Sequence, residues 1–141
     1  MKRLNLTIPT LIIVILTSCS ILPGSQMSDL SGTAWTLVSY GGKAILPDTG
    51  MTAFFEPGDV TGTASCNHYF GSFKVKGNQI TITELGWTEM ACLNPEGIME
   101  QERKVMSLFS LAESFSFQDQ SLVIKTSGGE LMIFQALNIN N

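Results

Sequence analysis

The sequence is poor in histidine and in charged residues. Its single histidine is His68, and Asp, Glu, Lys and Arg together make up 14% of 141 residues. Protein metal sites usually combine several histidine, cysteine or carboxylate ligands, and no acidic cluster accompanies His68. We therefore expect no metal site and no cofactor. His68 itself is expected to be a surface or internally bonded side chain, although an ordinary imidazole titrates near neutral pH.

Basic residues and short catalytic motifs are also scarce. Without the leader segment described below, which contains Lys2 and Arg3, six basic residues stand against twelve acidic ones, a formal charge near −6. With no basic stripe, nucleic-acid binding is not expected. The chain lacks a G-x-S-x-G elbow, a phosphate-binding loop and an H-E-x-x-H motif. The sequence therefore predicts a protein that is not an enzyme.

No apolar run is long enough for a comfortable membrane span. The mostly apolar stretch of residues 4–16 would extend about 20 Å as a helix, against about 30 Å of bilayer hydrocarbon, and Pro9 interrupts it. Lys2 and Arg3 precede the stretch and small residues follow it, which is the pattern of a secretory signal. We predict that residues 1–18 are a signal peptide outside the fold.

The end of this segment reads Leu16-Thr17-Ser18-Cys19 and resembles the lipobox of bacterial lipoproteins. In that family the cysteine thiol receives a diacylglycerol, the preceding peptide is removed, and the new amino terminus is usually acylated. Two or three acyl chains anchor stably, because each buried methylene contributes about 0.8 kcal/mol. The resemblance implies a cell-envelope protein held in a membrane by lipidated Cys19. Ser20, in place of an aspartate, implies the outer membrane, facing the periplasm, in a Gram-negative host; an ordinary secretory signal is the alternative.

A tether and one domain account for the remaining chain. Residues 19–29 include Pro23, Gly24 and several serines, a composition typical of a flexible linker. Residues 30–137 suffice for one domain of ordinary size, and no internal repeat is apparent. We predict a lipid-anchored tether over residues 19–29 and a single domain over residues 30–137.

Apolar and polar residues alternate with a period of two through most of this domain, which predicts half-buried strands. The strand segments are residues 33–40, 51–56, 60–65, 69–76, 79–83, 115–117, 122–125 and 131–136. Gly77-Asn78 fits a two-residue hairpin loop, and Pro57-Gly58 fits the centre of a type II turn. The spacing predicts about eight short strands.

One helix interrupts the strand pattern. Asn94-Pro95 predicts its start, since asparagine can cap a helix and proline fits its first position. The buried stripe is predicted to consist of Ile98, Val105, Leu108, Phe109 and Ala112. Glu96, Glu100 and Glu102 lie early, where the helix dipole favours acids, and Glu100 is spaced to pair with Lys104. We expect a mainly β (α+β) fold, a compact antiparallel barrel-like sheet of about eight strands with one packed helix.

Two cysteines, Cys66 and Cys92, lie within the predicted domain. An exported domain meets an oxidising compartment, in which a pair of thiols tends to close. The closed loop of about 26 residues is worth about 3.5 kcal/mol in the chain-entropy model. We predict a Cys66–Cys92 disulfide, with two buried free thiols as the main alternative. A metal pair is disfavoured because further ligands are missing.

Three segments carry a family resemblance. Residues 62–71 read GTASCNHYFG, residues 88–92 read TEMAC, and residues 30–37 read LSGTAWTL. They resemble the META domain family, which has bacterial members such as the heat-shock protein HslJ. Residues 62–71 match the family's G-x-x-G-C-N-x-Y-x-G signature, with Ser65 in place of the usual glycine. Residues 88–92 match its T-x-M-A-C motif, and residues 30–37 resemble its opening strand. The resemblance implies a compact β-rich, barrel-like domain with one helix, often in a lipoprotein, linked loosely to heat shock and without an established reaction.

The motif residues also have interpretations of their own. Asn67 could hydrogen-bond neighbouring backbone at a bend, and Gly71 could permit close packing or a bulge. Trp35 and Tyr69 most simply fill the core. Structural roles are expected for Trp35, Gly62, Asn67, Tyr69, Gly71, Thr88 and Met90, and a ligand contact is the alternative.

These features predict a noncatalytic, membrane-anchored envelope lipoprotein that acts as a stress-related binding or accessory module, with an envelope protein as partner. Carriage of a lipid or a small apolar ligand is one alternative, and a structural spacer is another. Asp48-Thr49-Gly50 spells the D-T-G triplet of aspartic proteases, in which two carboxylates share one proton. A single copy would require a homodimer, and Pro47 replaces the usual apolar strand residue, so a loop turn is the preferred interpretation.

Overall fold

The computed structural model describes residues 29–137. The predicted signal peptide, Cys19 and nearly all of the predicted tether lie outside the described residues. The strands are β1 (Thr33–Tyr40), β2 (Lys43–Ala44), β3 (Thr52–Glu56), β4 (Asp59–Thr63), β5 (His68–Lys76), β6 (Gln79–Trp87), β7 (Ala112–Gln118), β8 (Ser121–Thr126) and β9 (Leu131–Ala136), and the helix is α1 (Ile98–Ser110).

Eight of the strands form a closed antiparallel barrel. Their order is β1-β3-β4-β5-β6-β7-β8-β9, and β9 returns to pair with β1. The two-residue β2 is an extra strand on the end of β1, with Ser39 opposite Ala44 and Tyr40 opposite Lys43. Closure leaves few unpaired backbone edges. The predicted mainly β, barrel-like sheet with one packed helix is confirmed.

Strand pairing is shortest between β6 and β7. These strands share one register pair, Gln79 opposite Ser114, and the amide of Phe115 donates to the Asn78 carbonyl at 2.8 Å. The helix α1 joins β6 to β7 and packs against β6. Its Phe109 ring lies 5.6 Å from the Tyr69 ring and 6.4 Å from the Phe134 ring. Glu102 bonds the β4–β5 turn and Lys104 pairs with Glu130 in the β8–β9 turn, so the helix packs across one end of the barrel.

Large apolar side chains fill the inside of the barrel. Each strand directs alternate residues inward, and the largest fully buried side chains include Phe55, Phe109, Phe134, Leu30, Leu37, Met51, Ile80, Leu108, Leu122, Ile124 and Met132. Trp35 and Tyr69 are buried with them. Eight strands enclose a space that side chains can fill, so the interior is a packed core.

The predicted helix start at Asn94-Pro95 is wrong by about a turn. The helix begins at Ile98, after Gly97 at φ 87°, and has no side-chain cap. That left-handed conformation, which glycine adopts readily, interrupts helical geometry before Ile98. Ala112, predicted on the helix, opens β7 instead. Among the described residues, no helix has the length and apolar character required to cross a bilayer.

Two further expectations differ from the structure. Lys104 pairs with Glu130, at 3.0 Å from Nζ to Oε1, and not with Glu100, because the barrel brings the turn between β8 and β9 beside the helix. The strand predicted over residues 79–83 continues to Trp87. The alternation breaks at Glu84, which has φ 55°, so the period of two could not reveal this continuation.

Candidate functional site

The signature segment, residues 62–71, contains the end of β4, a tight turn and the first half of β5. The amide of Ala64 donates to the Asn67 carbonyl at 2.7 Å and closes the turn. Ser65 occupies the turn at φ 90°, a region that side chains disfavour and glycine enters freely. The Ser65 Oγ accepts a hydrogen bond from Gln101 Nε2 at 3.0 Å. The serine that departs from the family pattern thus ties the turn to α1.

Glu102 lies at the centre of the site, although its residue type and position did not predict a site residue. The residue is 3% exposed. Its Oε2 accepts from the amides of Cys66 at 3.0 Å and Asn67 at 2.7 Å, and its Oε1 accepts from Asn67 Nδ2 at 2.6 Å. The assignment of Glu102 to the dipole-favoured start of the helix is wrong, because Glu100 alone occupies the first turn. The sequence did contain a signal that Glu102 is buried. Its spacing from Ile98 and Val105 places all three residues on one side of the helix.

Asn67 joins the two sequence motifs. Its Oδ1 accepts from Thr88 Oγ1 and from the Met90 amide, both at 2.7 Å. Its Nδ2 donates to the Met90 carbonyl at 3.1 Å in addition to Glu102. The predicted bonding to backbone at a bend therefore reaches across to residues 88–90 and does not stay within the turn. The three predicted motif residues Asn67, Thr88 and Met90 form one hydrogen-bonded unit.

The Cys66–Cys92 disulfide closes the other end of this unit. The two Cα atoms are 6.0 Å apart and 26 positions separate the residues, so the predicted disulfide is confirmed and the free-thiol and metal alternatives are wrong. The Cys92 amide donates to Met99 Sδ at 3.4 Å. Residues 88–92 are thus held by Asn67 at one end and by the disulfide at the other. In the chain-entropy model a loop of this length is worth about 3.5 kcal/mol.

Gln101 is a second buried polar residue of the helix, and no sequence motif predicted its role. Its Nε2 donates to Thr49 Oγ1 at 2.7 Å, and its Oε1 accepts from the Leu46 amide at 2.7 Å. Thr49 is buried, whereas Asp48 is exposed in a turn at φ 58°. The threonine of the D-T-G triplet therefore serves the helix contact, and the loop turn accounts for the triplet.

Close strand approach explains the motif glycines. A Cβ on Gly62 would lie 2.0 Å from the Thr52 carbonyl oxygen, and one on Gly71 would lie 2.9 Å from Leu85 Cδ2. The same Thr52 oxygen accepts from the Tyr69 hydroxyl at 2.9 Å. Gly71 lies between Phe70 and Ser72, where the β5–β6 register shifts. Burial raises the pKa of the Tyr69 phenol well above its ordinary value.

The site is chemically self-contained. Within residues 29–137, every buried side-chain nitrogen and oxygen has a hydrogen-bond partner. The same residues include no group of three or more His, Cys, Asp and Glu side chains placed to hold a metal ion. Both oxygens of Glu102 face N–H donors of the protein. This arrangement stabilises a junction between barrel, helix and residues 88–92.

The structure is a small β-barrel domain with one helix. Its two sequence motifs meet at a hydrogen-bonded centre, and together these features define the class of the domain. The family model of the META domain matches residues 28–138. The chain belongs to the META domain family, which confirms the resemblance drawn from the motifs.

Solved structures share this fold. A protein from Burkholderia xenovorans solved by NMR is 20% identical, with a TM-score of 0.66 over 90% of this chain and 99% of that one. A crystal structure of a DUF4847 family protein from Bacteroides vulgatus is 14% identical, with a TM-score of 0.57 over 79% of this chain and 96% of that one. At these identities the similarity shows the fold alone. No curated protein matches the chain.

Proposed function

We propose that the protein is a noncatalytic accessory module of the bacterial cell envelope, anchored by lipid on Cys19 and acting in a stress response through an envelope protein partner. One observation carries the noncatalytic assignment. Asn67 and Glu102, the buried polar centre of the signature, direct their polar atoms at other groups of the domain. Such a centre stabilises a scaffold, so recognition falls to the surface. Membership of the META family supports an accessory or stress-related role.

The surface that the signature supports is residues 87–93, which we name the apical segment. Trp87, Met90 and Leu93 expose large apolar side chains, and Leu93 is 84% exposed. Single exposed apolar residues are ordinary, but these three share one short segment fixed by Asn67 and the disulfide. A fixed segment loses less conformational entropy on binding than a mobile one. We assign the partner contact to the apical segment.

The apical segment and Asp29, the first described residue, lie at opposite ends of the barrel. Thr49, just before β3, contacts Gln101 of the helix, and Met51 pairs with Ala64 beside the Asn67 turn. At the other end of β3, the Phe55 carbonyl accepts from the Gly32 amide. Five strand residues span about 17 Å. A lipid anchor before residue 29 therefore joins the barrel at the end opposite the apical segment.

The packed interior argues against carriage of a lipid or small apolar ligand inside the barrel. Ligand sites of that kind occupy about 300–1,000 Å³. Phe55, Phe109 and Phe134 are fully buried within the barrel, and a ligand there would have to displace them. We therefore place recognition on the outside of the barrel.

Membrane fractionation of cells expressing the full chain or its Cys19→Ser variant tests the anchor. The wild-type protein is expected in the membrane fraction, with the mass of residues 19–141 plus its acyl chains. The Cys19→Ser variant, which lacks the acceptor thiol, is expected to lack that added mass. A wild-type protein that lacks acyl mass would contradict the anchor.

Site-specific photo-crosslinking in living cells tests the partner surface. A photoreactive residue at position 93 is expected to give one dominant adduct with an envelope protein, because Leu93 projects from the fixed apical segment. Position 111 is the matched control, since Leu111 is also an exposed leucine but follows the far end of α1. Equal adducts at both positions, or none at position 93, would remove the apical segment from the proposal.

A further inference from the structure

The methionines within residues 29–137 differ sharply in their access to solvent. Met51, Met106 and Met132 are buried in the core, where a flexible thioether fills gaps between its neighbours. Met99, on the helix, is partly covered. Met90, on the apical segment, is 50% exposed. Among the described methionines, the thioether of Met90 is therefore the one most open to a reagent in solution.

The sulfur of Met99 is also protected by a hydrogen bond. The Cys92 amide donates to Met99 Sδ at 3.4 Å, which engages one of the lone pairs of the sulfur. Oxidation of a thioether begins with attack by such a lone pair, so this bond lowers the reactivity of Met99. Met90 and Met99 thus provide a matched pair in one molecule, one exposed and the other partly covered and hydrogen-bonded.

The backbone of Met90 is fixed independently of its side chain. Its amide donates to Asn67 Oδ1 at 2.7 Å, and its carbonyl accepts from Asn67 Nδ2 at 3.1 Å. The Cys66–Cys92 disulfide holds the chain again two residues further on. A chemical change of the Met90 side chain can therefore alter the surface of the apical segment while the fold stays in place.

From these observations we propose that Met90 is an oxidation site of the folded domain, and that its conversion to methionine sulfoxide weakens the partner contact of the apical segment. With hydrogen peroxide, the Met90 sulfur attacks one peroxide oxygen, and the O–O bond breaks as the S–O bond forms. The leaving hydroxide takes the proton of the transferred oxygen and departs as water. The sulfur loses two electrons and the peroxide gains them.

The sulfoxide changes the chemistry of the surface at its centre. Oxidation converts a flexible apolar side chain into a polar one and can be reversed by reduction. The sulfoxide oxygen binds water, and its burial against an apolar partner surface without a hydrogen bond is unfavourable. The effect on the partner rests on the proposed function of the apical segment, whereas the identity of the oxidised residue does not.

Peptide mass spectrometry of the full exported chain carrying Cys19→Ser tests the order of oxidation. In dilute hydrogen peroxide, Met90 is expected to gain an oxygen at least about fivefold faster than Met99, because its sulfur is the more exposed of the two. In urea, where the fold no longer protects Met99, the two rates should become similar. Equal rates in the folded chain, or faster oxidation of Met99, would overturn the assignment of the site.

The same oxidised sample tests whether the fold is retained. Amide NMR shifts are expected to change on the apical segment and at Asn67, and the midpoint of urea denaturation should equal that of the unoxidised protein. Shift changes throughout the barrel, or a lowered midpoint, would show that oxidation acts by unfolding the domain and would overturn the proposal.

Photo-crosslinking from position 93 in cells tests the effect on the partner. Brief peroxide treatment is expected to lower the adduct yield of the wild-type chain by about threefold or more, the loss expected when an apolar contact is removed from an interface. Met90→Leu keeps an apolar side chain that peroxide does not oxidise, so its adduct should survive the treatment. Met90→Gln, a polar side chain of similar length, should give the lower yield without peroxide.

The outcomes separate this proposal from the proposed function. An equal loss of adduct in the wild-type chain and in Met90→Leu would overturn the effect of Met90 oxidation on the partner, and would leave the apical segment as the contact surface. No adduct in the untreated wild-type chain would overturn both the contact surface and that effect. The order of oxidation would then still decide whether Met90 is the modified residue.

Discussion

At the scale of single residues, buried polar groups explain the signature. Asn67 and Glu102 are 1% and 3% exposed, and a buried polar group that loses its partner costs about 1–3 kcal/mol. The sequence identified Asn67 from its motif but could not supply its partners, which lie in the loop after β6 and on α1. Glu102 was missed because a glutamate near a helix start resembles an ordinary surface residue.

Tyr69 predicts a pH dependence of stability. Burial raises the pKa of its phenol above the ordinary value, so the unfolded chain releases the proton at a lower pH than the native state does. Its contribution is fully present below about pH 10 and declines above it, by about 1.4 kcal/mol per pH unit. Urea denaturation between pH 8 and about pH 11 should show that Tyr69→Phe lessens this decline. Tyr40→Phe, the control, should keep it. Equal declines in wild type and Tyr69→Phe would contradict the assignment.

Ser65 predicts an unusual order of substitution effects. At φ 90°, a side chain lowers the stability of the fold by about 1–2 kcal/mol relative to glycine. The hydrogen bond between Ser65 and Gln101 offsets part of this loss. Ser65→Ala keeps the backbone cost and loses the bond, whereas Ser65→Gly loses the bond and relieves the cost. Glycine should therefore be the more stable variant by about 1 kcal/mol. Chemical denaturation measures both; an alanine variant as stable as the glycine variant would refute this explanation of the family's glycine.

At the scale of elements, close contact between β3 and β4 depends on Gly62. Gly62→Ala places a Cβ 2.0 Å from a backbone oxygen of Thr52, so the strands must separate, and we expect a loss of at least about 3 kcal/mol. Gly50→Ala is the matched control, because a Cβ there has no atom within 4 Å. The two free energies of unfolding should differ strongly. Similar values would show that β4 tolerates a side chain at this position.

The elements were predictable in proportion to the regularity of their sequence patterns. β1 follows clean alternation, and its predicted bounds, residues 33–40, agree with the structure. β6 was cut short at Glu84, where the backbone has φ 55°, because an irregular residue shifts the phase of the pattern. The helix start was misplaced because Asn94-Pro95 has the composition of a cap, while Gly97 supplies the actual boundary.

At the scale of the whole molecule, closure of the barrel follows from pairings that sequence periodicity does not specify. β1 pairs with β9 across nearly the entire domain, and no local pattern encodes that partnership. The class of fold was nevertheless predictable, because the number of strands, the single late helix and the two motifs all indicated the same barrel-like domain. The position of the helix against the barrel was not, since it depends on Gln101 and Glu102 finding partners far away in the chain.

The most direct test of the account is a double-mutant cycle between Asn67 and Glu102, with the free energy of unfolding measured for Asn67→Ala, Glu102→Ala, the double variant and wild type. Glu100→Ala is the control, because Glu100 is an exposed glutamate on the same helix and should change stability by less than about 0.5 kcal/mol.

If the signature joins the helix to the barrel, substituting either buried residue should destabilise the domain by about 2–4 kcal/mol. The two should also couple by about 1 kcal/mol or more. Glu102→Ala and Asn67→Ala variants as stable as wild type, with additive effects, would contradict a structural signature and return these residues to consideration as a ligand site.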